Sequence, residues 1–232
     1  MPYAVLVNAR PVRGGVSKAA RVYGDLRASI VSLALRPGER LDKNIICQRM
    51  NVSRQPVAEA IARLADERLV DVEPQKGTFV ARIRMADVLE AAFVRRVLEV
   101  AIVAKIADDI DDATLTDLDR NLAYQATALQ AEDNEGFYAL DLRFHTMLIE
   151  QAAMRRVGAA VESSRAPLER ARRLLLLSPG RSGATLREHR AILAALKARN
   201  PDVAGAAMAA HLDKVMAEIR RFAARQSDLF EP

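Results

Sequence analysis

The stretch NVSRQPVAEAIARLADERLV, residues 51–70, combines a tight corner with the start of an amphipathic helix. Asn51 tolerates a left-handed backbone at the corner, and Ser53 is a favourable N-cap for a helix predicted over 54–67. Pro56 stands in the first turn of that helix, where its missing N–H group costs no hydrogen bond. The residues expected to face a core follow at helical spacing: Val57, Ile61 and Leu64.

The segments on either side complete a recognisable small domain. Helical periodicity predicts two earlier helices, over 17–33 and 43–50. Two short β runs, 69–72 and 78–80, flank the turn PQKG, in which Gly77 can adopt a positive φ. Three helices followed by a two-stranded hairpin are the plan of a winged helix-turn-helix domain.

The remainder of the chain is predicted to be helical. Hydrophobic residues make up 50% of the chain, aromatic residues only 4%, and Trp is absent, so aliphatic side chains must fill the interior. The predicted helices span 87–108, 114–131, 134–152, 155–176, 183–199 and 201–226. Short connections between them favour an antiparallel bundle. We therefore expect a mainly α protein with a flexible tail at 1–16, a winged helix-turn-helix domain at 17–84 and an all-helical domain at 85–232.

The charge is unevenly distributed along the chain. Residues 1–84 contain 15 Lys and Arg against 8 Asp and Glu, a balance of +7. Residues 85–232 contain 20 against 22, a balance of −2. The positive excess in the first third indicates a polyanionic partner for the N-terminal domain.

Several classes of protein are excluded by composition. Cys47 is the lone cysteine, which rules out a disulfide framework. The apolar run near the N-terminus is too short for a secretion signal, and no apolar run reaches transmembrane length. We therefore expect a cytoplasmic protein without a membrane partner.

The second helix of a helix-turn-helix presents its N-terminal residues to base edges in the major groove of double-stranded DNA. Those residues are Ser53, Arg54 and Gln55. Arginine binds guanine in bidentate fashion, glutamine suits adenine, and a serine at a helix start can hold a phosphate. Lys76 and Gly77, at the tip of the hairpin, are expected to approach a neighbouring groove. The alternative is a solvated helix with an ordinary cap.

The order and spacing of these motifs resemble the GntR family of bacterial transcription regulators. The resemblance rests on VSRQPVAEAIARL at 52–64, with LRPGERL before it and PQKGTFV after it. It implies a further DNA contact at Asn44. Ala58 stands where the family usually has arginine, so a phosphate or base contact is lost and the operator sequence of relatives does not transfer.

Four polar residues in the second domain form a second candidate site. Asp141 and His145, in DLRFHTMLIE, are four residues apart and therefore share a helix face. His189 and His211 lie on the fifth and sixth predicted helices of this domain. A bundle can direct all four inward, and an Asp with three His suits a divalent transition metal such as zinc, nickel or manganese. Alternatively, each histidine is a satisfied core residue.

The resemblance extends to the C-terminal effector (FCD) domain of the FadR-type GntR subfamily. It rests on the order of VRRVLE, DLRFH, EHRAIL and HL. It implies a metal held by Asp141, His145, His189 and His211, and a small organic acid bound to the metal and to Arg95. Arg95 could equally form an i, i+4 surface pair with Glu99. Ala153 and Met154 replace the Gly-Asn common in the subfamily, so effector contacts are expected to differ.

We therefore predict a homodimeric, non-enzymatic transcription regulator that binds a palindromic operator. The helical domain dimerises, and an acid in its metal-containing pocket modulates operator affinity. Two alternatives remain open: a metal-dependent hydrolase, and a regulator whose metal is purely structural.

Overall fold

The computed structural model describes residues 17–176 and 180–231, so the predicted tail at 1–16 lies outside the described residues. The chain forms two compact units. Among the described residues, one unit comprises 17–85 together with the C-terminal segment from Gln226, and the other comprises Ala86–Arg225.

The first unit begins with helices α1 (Lys18–Val31), α2 (Lys43–Met50) and α3 (Arg54–Asp66). Asn51 adopts the predicted left-handed conformation, with φ of 51°, and turns the chain between α2 and α3. Ser53 occupies the N-cap position of α3, but its side chain accepts no cap hydrogen bond, so the predicted cap was wrong in that detail.

The predicted hairpin consists of strands β1 (Val70–Glu73) and β2 (Gly77–Val80), paired antiparallel. Gly77 has φ of 138°, and a Cβ at this position would lie 3.2 Å from Arg40 Nε. Glycine is therefore favoured at this position by both backbone conformation and space. The three helices and β1–β2 enclose a common apolar core, which completes the winged helix-turn-helix domain.

A second, two-stranded sheet pairs β3 (Ile83–Arg84) with β4 (Phe230–Glu231) in parallel. Arg84 Nε donates to Glu231 Oε1 at 2.6 Å, and Arg84 NH2 donates to Asp71 Oδ1 at 3.0 Å. The expectation that the chain is helical to its end was therefore wrong for this segment. Strands of two residues are too short to show a period of two in the sequence.

The second unit is all-helical. Its helices are α4 (Met85–Ile106), α5 (Asp112–Gln130), α6 (Asn134–Gln151), α7 (Arg155–Leu176), α8 (Arg181–Lys197) and α9 (Pro201–Arg225). Each boundary lies within two residues of its prediction. The expected fold class, a mainly α chain with a winged helix-turn-helix followed by a helical bundle, is confirmed.

The packing of the bundle determines which side chains meet in its interior. Helix α5 packs against α6 and α8, and α8 also packs against α9. The core is built mainly from aliphatic residues, with Phe137 and Phe144 of α6 fully buried within it. Among the described residues, no helix is long and apolar enough to span a bilayer.

Candidate functional site

The predicted DNA-contacting residues are brought together at one surface of the first unit. Asn44, at the start of α2, and the first residues of α3 are all exposed. Arg54 NH2 donates to Asn44 Oδ1 at 3.3 Å, so the two helices present these side chains side by side. Gln55 Nε2 donates to Glu59 Oε1 at 3.1 Å, one turn further along α3.

A groove of about 490 Å³ separates the start of α2 from the hairpin. Its lining includes Asn44, Lys76 and Gly77, together with the cationic side chains of Arg40 and Lys43. Lys76 Nζ lies 3.0 Å from Glu73 Oε2, but both side chains are well exposed, so this pair contributes little stability. The walls also carry the carboxylates of Asp42 and Glu73, so the three cations exceed the anions by one, a weakly positive balance that is compatible with a phosphate backbone.

The three histidines converge in the interior of the second unit. His145 on α6, His189 on α8 and His211 on α9 are each at most 1% exposed. One nitrogen from each ring can be chosen so that all three lie within 4.8 Å of one another. Three imidazole nitrogens at such separations can ligate one metal ion, since zinc–nitrogen distances are about 2.0–2.1 Å.

Each imidazole has a side-chain oxygen close to its Nδ1 atom, but only His189 and His211 form hydrogen bonds there, because the His145 contact lacks hydrogen-bond geometry. His145 Nδ1 lies 2.6 Å from Glu99 Oε2. His189 Nδ1 lies 3.1 Å from Gln125 Oε1, and His211 Nδ1 lies 2.8 Å from Glu188 Oε2. Such partners fix the tautomer and ring orientation of metal-binding histidines.

The opposite ring nitrogens remain unsatisfied. The Nε2 atoms of His145, His189 and His211 are buried and have no hydrogen-bond partner among the described residues. Buried polar atoms are nearly always paired, so three unpaired nitrogens in one place are typical of a binding site rather than of ordinary core packing. The hypothesis of three independently satisfied core histidines does not account for this arrangement.

Asp141 lies beside the histidines but is not part of the group of ligand atoms within 4.8 Å of one another, and it also contacts a cation. Its Oδ1 lies 3.6 Å from His189 Nε2, and its Oδ2 accepts a hydrogen bond from Arg172 NH2 on α7. Both Asp141 and Arg172 are buried. The carboxylate therefore has one oxygen facing the imidazoles and the other held by Arg172.

Arg95 is paired with Glu99 as the alternative hypothesis proposed, but the pair is not on the surface. Arg95 Nε donates to Glu99 Oε1 at 2.5 Å, and the two side chains are only 5% and 2% exposed. Glu99 in turn contacts His145. The ion pair thus belongs to the interior of the bundle and adjoins the histidine cluster.

Burial sets the protonation state of the cluster. Burial lowers the pKa of His145 to about 4, although Glu99 opposes the shift. Burial also lowers the pKa values of His189 and His211. Burial alone would raise the pKa of Asp141, but the charges of the surrounding groups, of which Arg172 is the strongest, together outweigh burial and lower the pKa. At neutral pH the site therefore offers neutral imidazoles and a carboxylate, the forms that bind metals.

These shifts predict that the metal-free protein loses stability in mild acid. The folded pKa of His145 is about 4 against an ordinary value of 6.5, so the unfolded chain takes up protons that the folded chain excludes. The stabilisation is present above pH about 6.5 and is lost as the pH falls toward 4. We expect His145 alone to contribute on the order of 3 kcal/mol. Urea unfolding of chelator-treated protein between pH 7 and 4.5 measures this, and an unfolding free energy that stays constant would contradict it.

Several residues of this site were not identified from the sequence: Gln125, Arg172 and Glu188 as partners of the cluster, and Glu99 as a partner of His145. Glu188 directly precedes His189 along the chain, but it contacts His211 on another helix. Gln125 and Arg172 are separated from their partners by 64 and 31 residues. Helical periodicity offers no signal for such long-range pairs.

Both halves of the chain match known family models. Residues 18–80 match the bacterial regulatory proteins of the gntR family, and residues 90–214 match the FCD domain. The second match covers more than half of the chain.

Two relatives align with this chain over nearly their full length, and both are described as transcription regulators. The HTH-type transcriptional repressor RspR of Escherichia coli (strain K12) is 32% identical over 210 residues, which cover 90% of this chain and 92% of that protein. An HTH-type transcriptional regulator from an unstable DNA locus of Streptomyces ambofaciens is 34% identical, covering 90% and 88%. These relatives share both domains with the present chain.

Solved structures show the same architecture. A protein of Rhodococcus sp. RHA1, described as a GntR transcriptional regulator, superposes with a TM-score of 0.73 at 30% identity, covering 89% of this chain and 99% of that one. Escherichia coli McbR/YncC superposes with a TM-score of 0.71 at 22% identity, covering 90% and 99%. At the latter identity the likeness supports the fold alone.

Proposed function

The chain belongs to the GntR family of bacterial regulatory proteins and carries an FCD domain, and on this premise we propose that a small carboxylate in a metal-containing bundle modulates its operator affinity. As a member of this family the chain is a DNA-binding transcription regulator and not an enzyme. The hypothesis of a metal-dependent hydrolase therefore falls.

The observation that carries the proposal is the convergence of three unpaired Nε2 atoms. His145, His189 and His211 would hold a divalent transition metal such as zinc, nickel or manganese through these atoms. Asp141 would supply a fourth ligand from the oxygen that faces His189. Hydrogen bonds at Nδ1 orient His189 and His211, and Glu99 lies close to Nδ1 of His145, so the ligand nitrogens need no rearrangement of the helices.

A bound divalent metal would supply a fixed positive charge, which favours an anionic effector. The chain adds a second attraction for an acid. Arg95 is buried beside the cluster, and a guanidinium matches a carboxylate with two parallel hydrogen bonds. We therefore assign Arg95 to effector binding, with Glu99 holding it in place through their ion pair.

The chain connects the effector unit to the DNA-binding unit at two points. Helix α4 follows β3 directly, and the chain leaving α9, which carries His211, returns to form β4 beside β3. A displacement of either helix on effector binding is therefore transmitted covalently to the winged domain. The effector must bind one arrangement of the helices better than the other to change operator affinity.

We further propose that the protein acts as a cytoplasmic homodimer on a palindromic operator.

The direct test is DNA binding by the full chain, measured by fluorescence anisotropy on the DNA upstream of its own gene. We expect sequence-selective binding that weakens steeply with salt. Zinc-loaded protein is then titrated with acetate, glycolate, succinate and citrate. At least one acid should change operator affinity by about 5- to 150-fold, the usual range of allosteric coupling.

Two outcomes would contradict the proposal. If the protein binds neither that DNA nor the flanking promoters in a sequence-selective way, the proposal of operator binding is contradicted. A thermal stabilisation by zinc that no acid changes, together with operator binding indifferent to every acid, would favour the purely structural metal.

A further inference from the structure

A cavity of about 130 Å³ lies in the second unit, between helices α4, α6 and α7. Its walls include Arg95 from α4, Tyr138 from α6, and Arg172 from α7. The three histidines are not among its lining residues. Two of its lining residues, Arg95 and Arg172, form ion pairs with Glu99 and Asp141, which in turn lie beside the histidines.

Tyr138 is the first sign that the cavity binds a ligand. Its side chain is 2% exposed, and its hydroxyl has no hydrogen-bond partner among the described residues. Burial raises the pKa of Tyr138 to about 12, so the hydroxyl keeps its proton and can donate it. A buried hydroxyl without a partner costs about 1–3 kcal/mol, a cost that a ligand oxygen in the cavity would remove.

The two arginines are the second sign. A guanidinium has five N–H donors. Arg172 gives one of them to Asp141, and Arg95 gives two to Glu99. Each arginine therefore keeps further donors on a side chain that lines the cavity, as an oxygen-rich anion requires.

The size of the cavity restricts the ligand further. A cavity of about 150 Å³ accommodates a molecule of benzene size, so this one suits roughly six non-hydrogen atoms. Succinate and citrate exceed this size, so the cavity favours a small monocarboxylate over these larger acids.

We infer that this cavity is the effector subsite, and that it binds a small monocarboxylic acid through Arg172 and Tyr138 as well as Arg95. The carboxylate lies between the two guanidinium groups, and the Tyr138 hydroxyl donates to one of its oxygens. The inference rests on the proposed function, because it names the residues and the ligand class of the acid effector. It differs from the sequence-based expectation by placing the acid against the arginines rather than on the metal.

The variant Tyr138→Phe tests this assignment because it removes only the hydroxyl. Tyr124→Phe, at a tyrosine that is 55% exposed on α5, is the matched control. Calorimetric titration of zinc-loaded protein uses acetate, glycolate, propanoate and butanoate, with succinate and citrate as larger, multiply charged acids. We expect at least one monocarboxylate to bind more tightly than succinate and citrate. Tyr138→Phe should weaken that binding by about 10-fold, whereas Tyr124→Phe and the zinc content should remain as in the wild type.

Three results would overturn the assignment: equal affinity of Tyr138→Phe and the wild type, tighter binding of succinate or citrate, or no binding of any monocarboxylate. Failure of this inference and failure of the proposed function are distinguishable. If an acid alters operator binding equally in the wild type and in Tyr138→Phe, the subsite is wrong and the regulation stands. If Tyr138→Phe selectively loses acid binding but no acid alters operator affinity, the subsite stands and the regulation fails.

Discussion

Replacing His189 by alanine is expected to lower the affinity for zinc at least about 100-fold, because even residues that only orient metal ligands cost about 10- to 100-fold when changed. His189 is fully buried, and its Nε2 is one of the three unpaired nitrogens. The loss should appear as zinc-free protein after purification without chelator, and as weak competition against a chromogenic chelator. The thermal stabilisation that zinc confers on the wild type should disappear with it.

Two further variants separate ligand loss from general damage to the bundle. Leu118→Ala removes a fully buried core side chain and should destabilise the fold by about 2–5 kcal/mol while retaining zinc. Glu188→Gln leaves every ligand in place but weakens the partner of His211, so we expect an intermediate loss of about 10-fold. Equal zinc content in His189→Ala and the wild type would rule out the proposed centre.

Replacing Arg54 by alanine is expected to weaken operator binding by about 10- to 100-fold, the value of one bidentate arginine–guanine contact. Arg54 is exposed at the first position of α3 and is aligned by its hydrogen bond to Asn44. Arg120→Ala is the matched control, since it removes an exposed arginine from the surface of the bundle. Competition with scrambled DNA then shows whether the loss is specific to the operator.

Lys76 should behave differently from Arg54. As a phosphate contact at the tip of the hairpin, its replacement by alanine should weaken binding to operator and scrambled DNA alike and reduce the salt dependence by about one unit. If Arg54→Ala weakens binding to both DNAs equally, Arg54 contacts a phosphate rather than a base. Other residues must then recognise the operator sequence.

The local features of the fold were predictable because they depend on neighbouring residues. Helix α2 was predicted with its observed bounds, and the left-handed corner at Asn51 followed from the side chain that tolerates it. Failures occurred where local preference was overruled or too short to detect. Ser53 has the residue type of a cap but makes no cap hydrogen bond, and β4 is a strand only because β3 lies beside it.

The candidate metal residues also came from the sequence, as the only three histidines of the chain and an aspartate one helical turn from the first. Their convergence required no more than inward-facing positions on three helices. What surrounds them was decided by the tertiary structure alone. Gln125, Glu188 and Arg172 reach the cluster from α5, α8 and α7.

The sequence by itself therefore determined the fold class and the side chains available for chemistry, because helical periodicity and residue type are local properties. Only the tertiary structure decided that Arg95 pairs with Glu99 in the interior and that Tyr138 is left without a partner beside a cavity. The physical reason is that burial and pairing depend on which helices pack together. Whether a buried polar group has a hydrogen-bond partner therefore depends on residues that are distant in the chain.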